Sequence, residues 1–134
     1  MNACKFENVD TVGKYLVIAA GGALGAITRY FFNQLFAQLF APFPFSTFFI
    51  NLSGSFLIGL LFVLALERAM IGEHWRLALI VGFLGAYTTF STFELETLLL
   101  VRERRFFIAA FYVLSSVFLG FLGVIGGIWL GRKL

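Results

Sequence analysis

Apolar side chains fill four long runs of this chain, and short clusters of charge or proline separate them. A helix needs about 20 apolar residues to cross the hydrocarbon core of a bilayer. The runs from about Lys14 to Leu39, Thr47 to Leu66, Trp75 to Val101 and Phe106 to Leu130 all meet that length. Ala41-Pro42-Phe43-Pro44 ends the first run, because proline restricts the residue before it and cannot continue a hydrogen-bonded turn. Glu67-Arg68 through Glu73-His74 makes the second connection, and Arg102-Glu103-Arg104-Arg105 the third. The pattern predicts an all-α membrane protein, residues 1–134 forming a single four-helix transmembrane domain.

Polar positions inside the runs refine this picture. The third segment is too long for a straight span, and its middle is the wrong composition for one. Gly82 and Gly85 precede Thr88-Thr89-Phe90-Ser91-Thr92-Phe93, with Glu94 and Glu96 close behind. Irregular backbone at membrane depth persists only where it is buried in protein or lines a polar cavity. A helix broken near residues 85–89 would present carbonyls suited to a cation at one half-helix end. Its other end would present N–H groups and a positive dipole suited to an anion. The plainer alternative is a glycine kink whose backbone groups are satisfied by hydroxyls; the density of hydroxyls argues against it.

Thr47, Asn51 and Ser55 recur every four residues, so they share one face of the second helix. Tyr112 and Ser116 do the same on the fourth, with Ser115 beside them, and Phe90 and Phe93 stack on one side of the second half-helix. Taken singly, such residues tie helices together by hydrogen bonds of about 1 kcal/mol. Three polar faces in one short chain make a conduit the better reading, since polar groups in lipid must turn toward protein or water. Gly21 and Gly25, and Gly123, Gly127 and Gly131, are four apart and form seams for close helix approach. The spacing does not separate packing within one subunit from contact between two.

Composition agrees with the pattern. Of 134 residues, 60% are hydrophobic and 13% charged, with a mean hydropathy of +0.95. A soluble domain usually carries about 25% charged residues. A chain this short cannot hide so much apolar surface in its own interior, so lipid must cover it. The net charge of +3 sits at segment ends, which favours membrane anchoring over nucleic-acid binding. Cys4 is the only cysteine and His74 the only histidine, so neither a disulfide nor a histidine metal cluster can form. The first residues, with Lys5, Glu7, Asp10 and Lys14, lack the form of a secretory signal, and the span that follows is read as retained. Lys5, Lys14, Arg68, Arg76, Arg132 and Lys133 share one side; Arg102, Arg104 and Arg105 lie on the other, with Arg29 if it snorkels that way. The bias favours cytoplasmic termini by a small margin, so insertion in both orientations is compatible with it.

Gly21-Gly22-Ala23-Leu24-Gly25-Ala26 with Arg29-Tyr30, Ser46-Thr47 with Asn51 and Gly54, and Gly82-Phe83-Leu84-Gly85 leading into Thr88–Phe93 and Glu96 together resemble the Fluc (CrcB-type) fluoride channel family. The resemblance runs from about Gly21 to the end of the fourth helix. It implies an antiparallel, dual-topology homodimer in the cell's inner membrane, with two fluoride pores along the subunit boundary and passive fluoride export. It implies a structural sodium ion at the dimer centre, held by main-chain carbonyls of Gly85 and Thr88 from both copies. Phe90 and Phe93 are expected to face the pores. Asn51 and Thr47 of the second helix, and a hydroxyl track of Ser91, Thr92, Tyr112 and Ser116, are expected to line them. Arg29 matches an arginine of an electropositive vestibule.

Three positions depart from the family pattern. Gly120 stands where a further hydroxyl is usual, leaving that place to water or Ser115; Ser46 replaces a glycine; and Glu94 replaces a small residue, often serine. A carboxylate there repels anions unless it is paired or points away. The chemistry otherwise fits fluoride. Amide and hydroxyl groups can replace its water shell, and phenylalanine rings offer a positive edge without a fixed charge that would hold the ion too tightly. The rival reading is a small dual-topology proton-coupled multidrug transporter. That mechanism needs a carboxylate deep in the first helix, and none lies between Lys14 and Ala41, so it would have to use Glu94 or Glu96. A non-conducting assembly subunit is a third reading. Enzyme chemistry is not expected, because no nucleophile–base pair is apparent.

Overall fold

A computed structural model describes residues 3–134, with side chains from Thr11 onward; Cys4, Lys5, Glu7 and Asp10 therefore lie outside the described side chains. Four stretches are long and apolar enough to cross a membrane: Thr11–Phe36, Phe45–Glu67, Glu73–Arg102 and Phe106–Lys133. The first belongs to a helix over Ala3–Phe36. It stops short of the expected Leu39, because the chain turns at Phe36 and Phe40 takes a left-handed φ of 61°. Phe32, Phe36, Phe45 and Phe49 pack on one another across this turn and fix the entry to the second helix.

The second helix runs over Phe45–Phe62 and widens into π-helical turns over Val63–Glu67. The third begins at Glu73–Arg76, continues as π-helix over Leu77–Leu84, and closes with Gly85–Tyr87. It resumes over Phe90–Arg102. The fourth, Phe106–Lys133, outlasts its expected end at Leu130 because Arg132 and Lys133 have partners that hold the last turn in place. Arg132 pairs with Glu67 through two hydrogen bonds of 2.8 and 3.0 Å, and Lys133 lies 3.8 Å over the Trp129 ring.

The glycine seams are used inside the chain. A methyl group at Gly21 would collide with the carbonyl of Ala78, one at Gly25 with that of Phe83, and one at Gly82 with that of Ile18. These three positions bring the first helix and the first half of the third into backbone contact. Gly59 and Gly127 do the same for the second and fourth helices, meeting the carbonyls of Val124 and Phe56, and Gly131 seats the side chain of Val63. Without a hydrophobic force between helices in lipid, such close approach supplies the van der Waals contact that holds them.

Two apolar clusters complete the interior. Ile50, Leu84 and Tyr87 lie on one side of the break, and Leu100, Ala109 and Tyr112 on the other. The outer surface stays apolar: Phe107 is 93% exposed, and Leu114, Phe118 and Phe121 on the fourth helix also face outward. The Lys14–Glu73 and Glu67–Arg132 ion pairs draw the start of the first span, the second connection and the last turn to one end of the bundle.

Candidate ion path at the helix break

The helical run ends at Tyr87 because Thr88 and Thr89 are extended, with ψ of 157° and 118°. Each threonine closes one half-helix. Thr88 donates both its N–H and its hydroxyl to the carbonyl of Leu84, at 3.0 and 2.9 Å. Thr89 caps the second half: its Oγ1 accepts from the N–H of Thr92 and donates to the Thr92 hydroxyl.

Asn51 holds the break from the second helix. Its Nδ2 donates to the carbonyl of Thr89 at 3.0 Å, and its Oδ1 accepts from the Thr89 N–H at 2.9 Å. One side-chain amide thus satisfies both main-chain groups of a buried residue that belongs to neither half-helix. In an unbroken helix the Thr89 N–H would bond the carbonyl of Gly85, four residues back. Asn51 takes that donor away. The N–H of Thr92, which would have served Thr88, is likewise turned to Thr89 Oγ1. Gly85 and Thr88 are thus among the carbonyls that lose their helical donors at the break, with Ala86 and Tyr87 between them. Such unwound carbonyls suit a hard cation such as sodium.

Beside the break lies an open groove of about 450 Å³, whose walls include Asn51, Ser55, Thr88, Phe90, Phe93 and Ser116. The Ser116 hydroxyl is buried there and has no hydrogen-bond partner among the described residues. Phe90 is 70% exposed; its ring centre is 6.0 Å from that of Phe93, which is half-buried and packs on Tyr112 at 5.0 Å. Gly54 makes room for this wall, since a methyl group there would strike Cγ2 of Thr88.

A family model described as CrcB-like protein, Camphor Resistance (CrcB), matches residues 16–128. The chain belongs to the CrcB family. It is 48% identical over 90% of its length to a fluoride-specific ion channel FluC of Solibacter usitatus, covering 99% of that protein. A protein of the same name from Trichormus variabilis is 43% identical, over 91% of this chain and 90% of its own length. A third, from Methylococcus capsulatus, is 50% identical over 87% of this chain and 52% of its own length. With its four spans, this CrcB-family member is a multi-pass protein of the cell membrane.

The remaining expected site residues of this CrcB-family chain are placed differently. Thr47 and Tyr112 are buried, 1% and 0% exposed, and both hydroxyls donate to Glu96: Thr47 to Oε1 at 2.9 Å, Tyr112 to Oε2 at 2.8 Å. Neither lines the groove. Ser91 is exposed on the outer face of the second half-helix, and half-buried Thr92 is joined to Thr89. Arg29 is half-buried on the first helix, outside the groove wall.

Glu96 was legible in the sequence as part of the family motif and as a carboxylate for the rival transporter, but not as a partner of Thr47 and Tyr112; its four-residue spacing from Thr92 shows only that the two share one face of the second half-helix. Sequence reasoning also looked to Ser115 or water to fill the place of the hydroxyl missing at Gly120. Ser115 instead donates to the carbonyl of Tyr112 and lines a second, phenylalanine-rich groove. At Gly120 an added methyl would meet Ser55 Oγ at 3.4 Å. The second helix supplies the hydroxyl there that the fourth lacks.

Proposed function

We propose that this chain is a fluoride-specific ion channel, giving fluoride passive exit across the cell membrane and so protecting against fluoride toxicity. The observation that carries this reading is the groove beside the break. There, the Ser116 hydroxyl, buried and without a partner among the described residues, lines the same wall as Phe90, Phe93 and Asn51. A small anion stripped of water needs such donors, and the positive ring edges of Phe90 and Phe93 stabilise it without binding it too tightly to leave. The names of the relatives, fluoride-specific ion channels, support the same ion.

The conducting form is an antiparallel homodimer with two pores. One copy leaves Phe90, Gly85 and Ser91 exposed at membrane depth. Polar or irregular backbone there needs a protein cover, and a second copy inserted the other way brings its own break against this one. The near balance of charge at the two ends permits both insertions. Carbonyls of Gly85 and Thr88, two from each copy, hold a sodium ion at the centre; the ion offsets the carbonyl dipoles and clamps the copies together.

The test is passive efflux from liposomes under a potassium gradient with valinomycin, followed with a fluoride electrode. Fluoride leaves and chloride is retained. Fluoride that stays trapped in every preparation refutes the reading. The multidrug-transporter alternative loses one of its two carboxylates, since both oxygens of Glu96 are taken by hydroxyls.

A further inference from the structure

Three carboxylates belong to the third span, and the structure places them in three settings. Glu73, at its start, is paired with Lys14 at 3.1 Å. Glu96 points inward to two hydroxyls. Glu94 is exposed, and its side chain has neither an ion pair nor a hydrogen bond among the described residues. It nevertheless lies on the apolar half-helix Phe90–Arg102, between exposed Phe90 and exposed Leu98.

A bare carboxylate facing hydrocarbon costs about 2.5–3.5 kcal/mol at the centre of a span. Water, a cation or a donor of the second copy must therefore reach Glu94. At about 100° of rotation and 1.5 Å of rise per residue, it lies about 40° around the helix from Phe90 and about 6 Å nearer the Arg102 end. Arg102 itself is about 12 Å further on. The other charges at that end are Glu103 and Arg105, paired with each other at 3.0 Å, and Arg104. The first turns of the second half-helix thus carry an unpaired negative charge beside the phenylalanines, with arginines at the outer rim.

We infer that the Glu94 carboxylate stands at the inner end of a water-filled vestibule that opens toward Arg102 and ends at Phe90, where it limits the entry of fluoride into the groove. The inference rests on the proposed channel activity. The arginines gather anions at the rim and the carboxylate reduces their number at the narrow end, so throughput depends on the charge at this one position. The effect is electrostatic and must weaken as salt shortens the screening length from about 30 Å at 0.01 M to about 3 Å at 1 M.

The test uses full-length protein in liposomes. Glu94→Gln should raise fluoride efflux about threefold at low salt, by analogy with the field effects of single charges in clefts, and by less at high salt. In a Cys4→Ser background, Glu94→Cys should react with water-soluble thiosulfonates. A negatively charged adduct should conduct several-fold more slowly than a positively charged one of similar size. A cysteine left unmodified in the mass spectrum shows that no water reaches the position and overturns the inference. So do equal fluxes from the two adducts, or wild-type or lower flux from Glu94→Gln. If the wild-type protein itself carries no fluoride, the failure belongs to the channel reading, not to Glu94.

Discussion

The second helix meets its neighbours in two opposite ways. From Phe56 onward it lies against the fourth helix through Gly59, Gly127 and Gly131, and main-chain atoms touch where side chains would stand. Eight residues before Gly59, Asn51 reaches across to the third helix and bonds the main chain of Thr89. The glycine region closes space and leaves no room for an ion. The asparagine region holds the backbone apart, and the groove forms beside it. Both rely on main-chain contact, and the difference lies in whether a side chain is deleted or inserted.

Filling the glycine contact gives the largest effect. Gly127→Val would drive a branched side chain into the carbonyl of Phe56 and the N–H of Leu60. Overpacking of this kind costs about 3 kcal/mol, at the upper end of its usual range, since the obstacle is backbone. The expected outcome is loss of monodisperse protein on size exclusion in detergent. Gly85→Ala sharpens the contrast, because its added methyl meets only the Ile80 carbonyl at 4.0 Å; it should purify normally. Normal behaviour of Gly127→Val would show that the seam can open.

Asn51→Ala is next. It strips partners from the N–H and the carbonyl of buried Thr89, each worth about 1–3 kcal/mol when left unsatisfied. Fluoride efflux should fall at least tenfold, with a lowered unfolding temperature. Thr89 would also regain the freedom to bond Gly85, so sodium should no longer protect the dimer against dissociation. In the wild type, replacing sodium with a bulky organic cation should lower that protection; no change on sodium removal would eliminate the central cation.

Phe90→Ile and Phe93→Ile test the groove without touching the hydrogen bonds that shape it. Efflux should slow sharply in both while the dimer persists on size exclusion. Wild-type flux in both variants would remove the rings from the mechanism. Glu96→Gln probes the half-buried carboxylate that joins the second, third and fourth helices away from the groove. One oxygen becomes an NH2 group facing a hydroxyl that formerly donated, which should cost about 1–2 kcal/mol by differential scanning. The smallest effect is expected at the solvent end, where Arg132→Gln breaks an exposed ion pair with Glu67 and should leave efflux unchanged.

Much of this was legible in the linear pattern. The four spans followed from runs of apolar residues, and a break near residues 85–89 from hydroxyls set where lipid allows none; the structure puts it at Thr88 and Thr89. Thr47 and Tyr112 show what a face-by-face reading misses. Each sits on a polar stripe, but a stripe gives only the direction of a side chain from its own helix. It does not say that two stripes converge on one carboxylate of a third helix.

The sequence by itself determined that the chain enters the membrane and where its third helix cannot stay regular. Both follow from transfer energies and backbone hydrogen bonds, which depend on residue type and local order. Only the tertiary structure decided that the glycine seams join helices of the same chain, that Ser55 fills the place opposite Gly120, and that Glu96 gathers two hydroxyls away from the groove. These depend on which helix faces which and at what height, and neighbours along the chain do not set that.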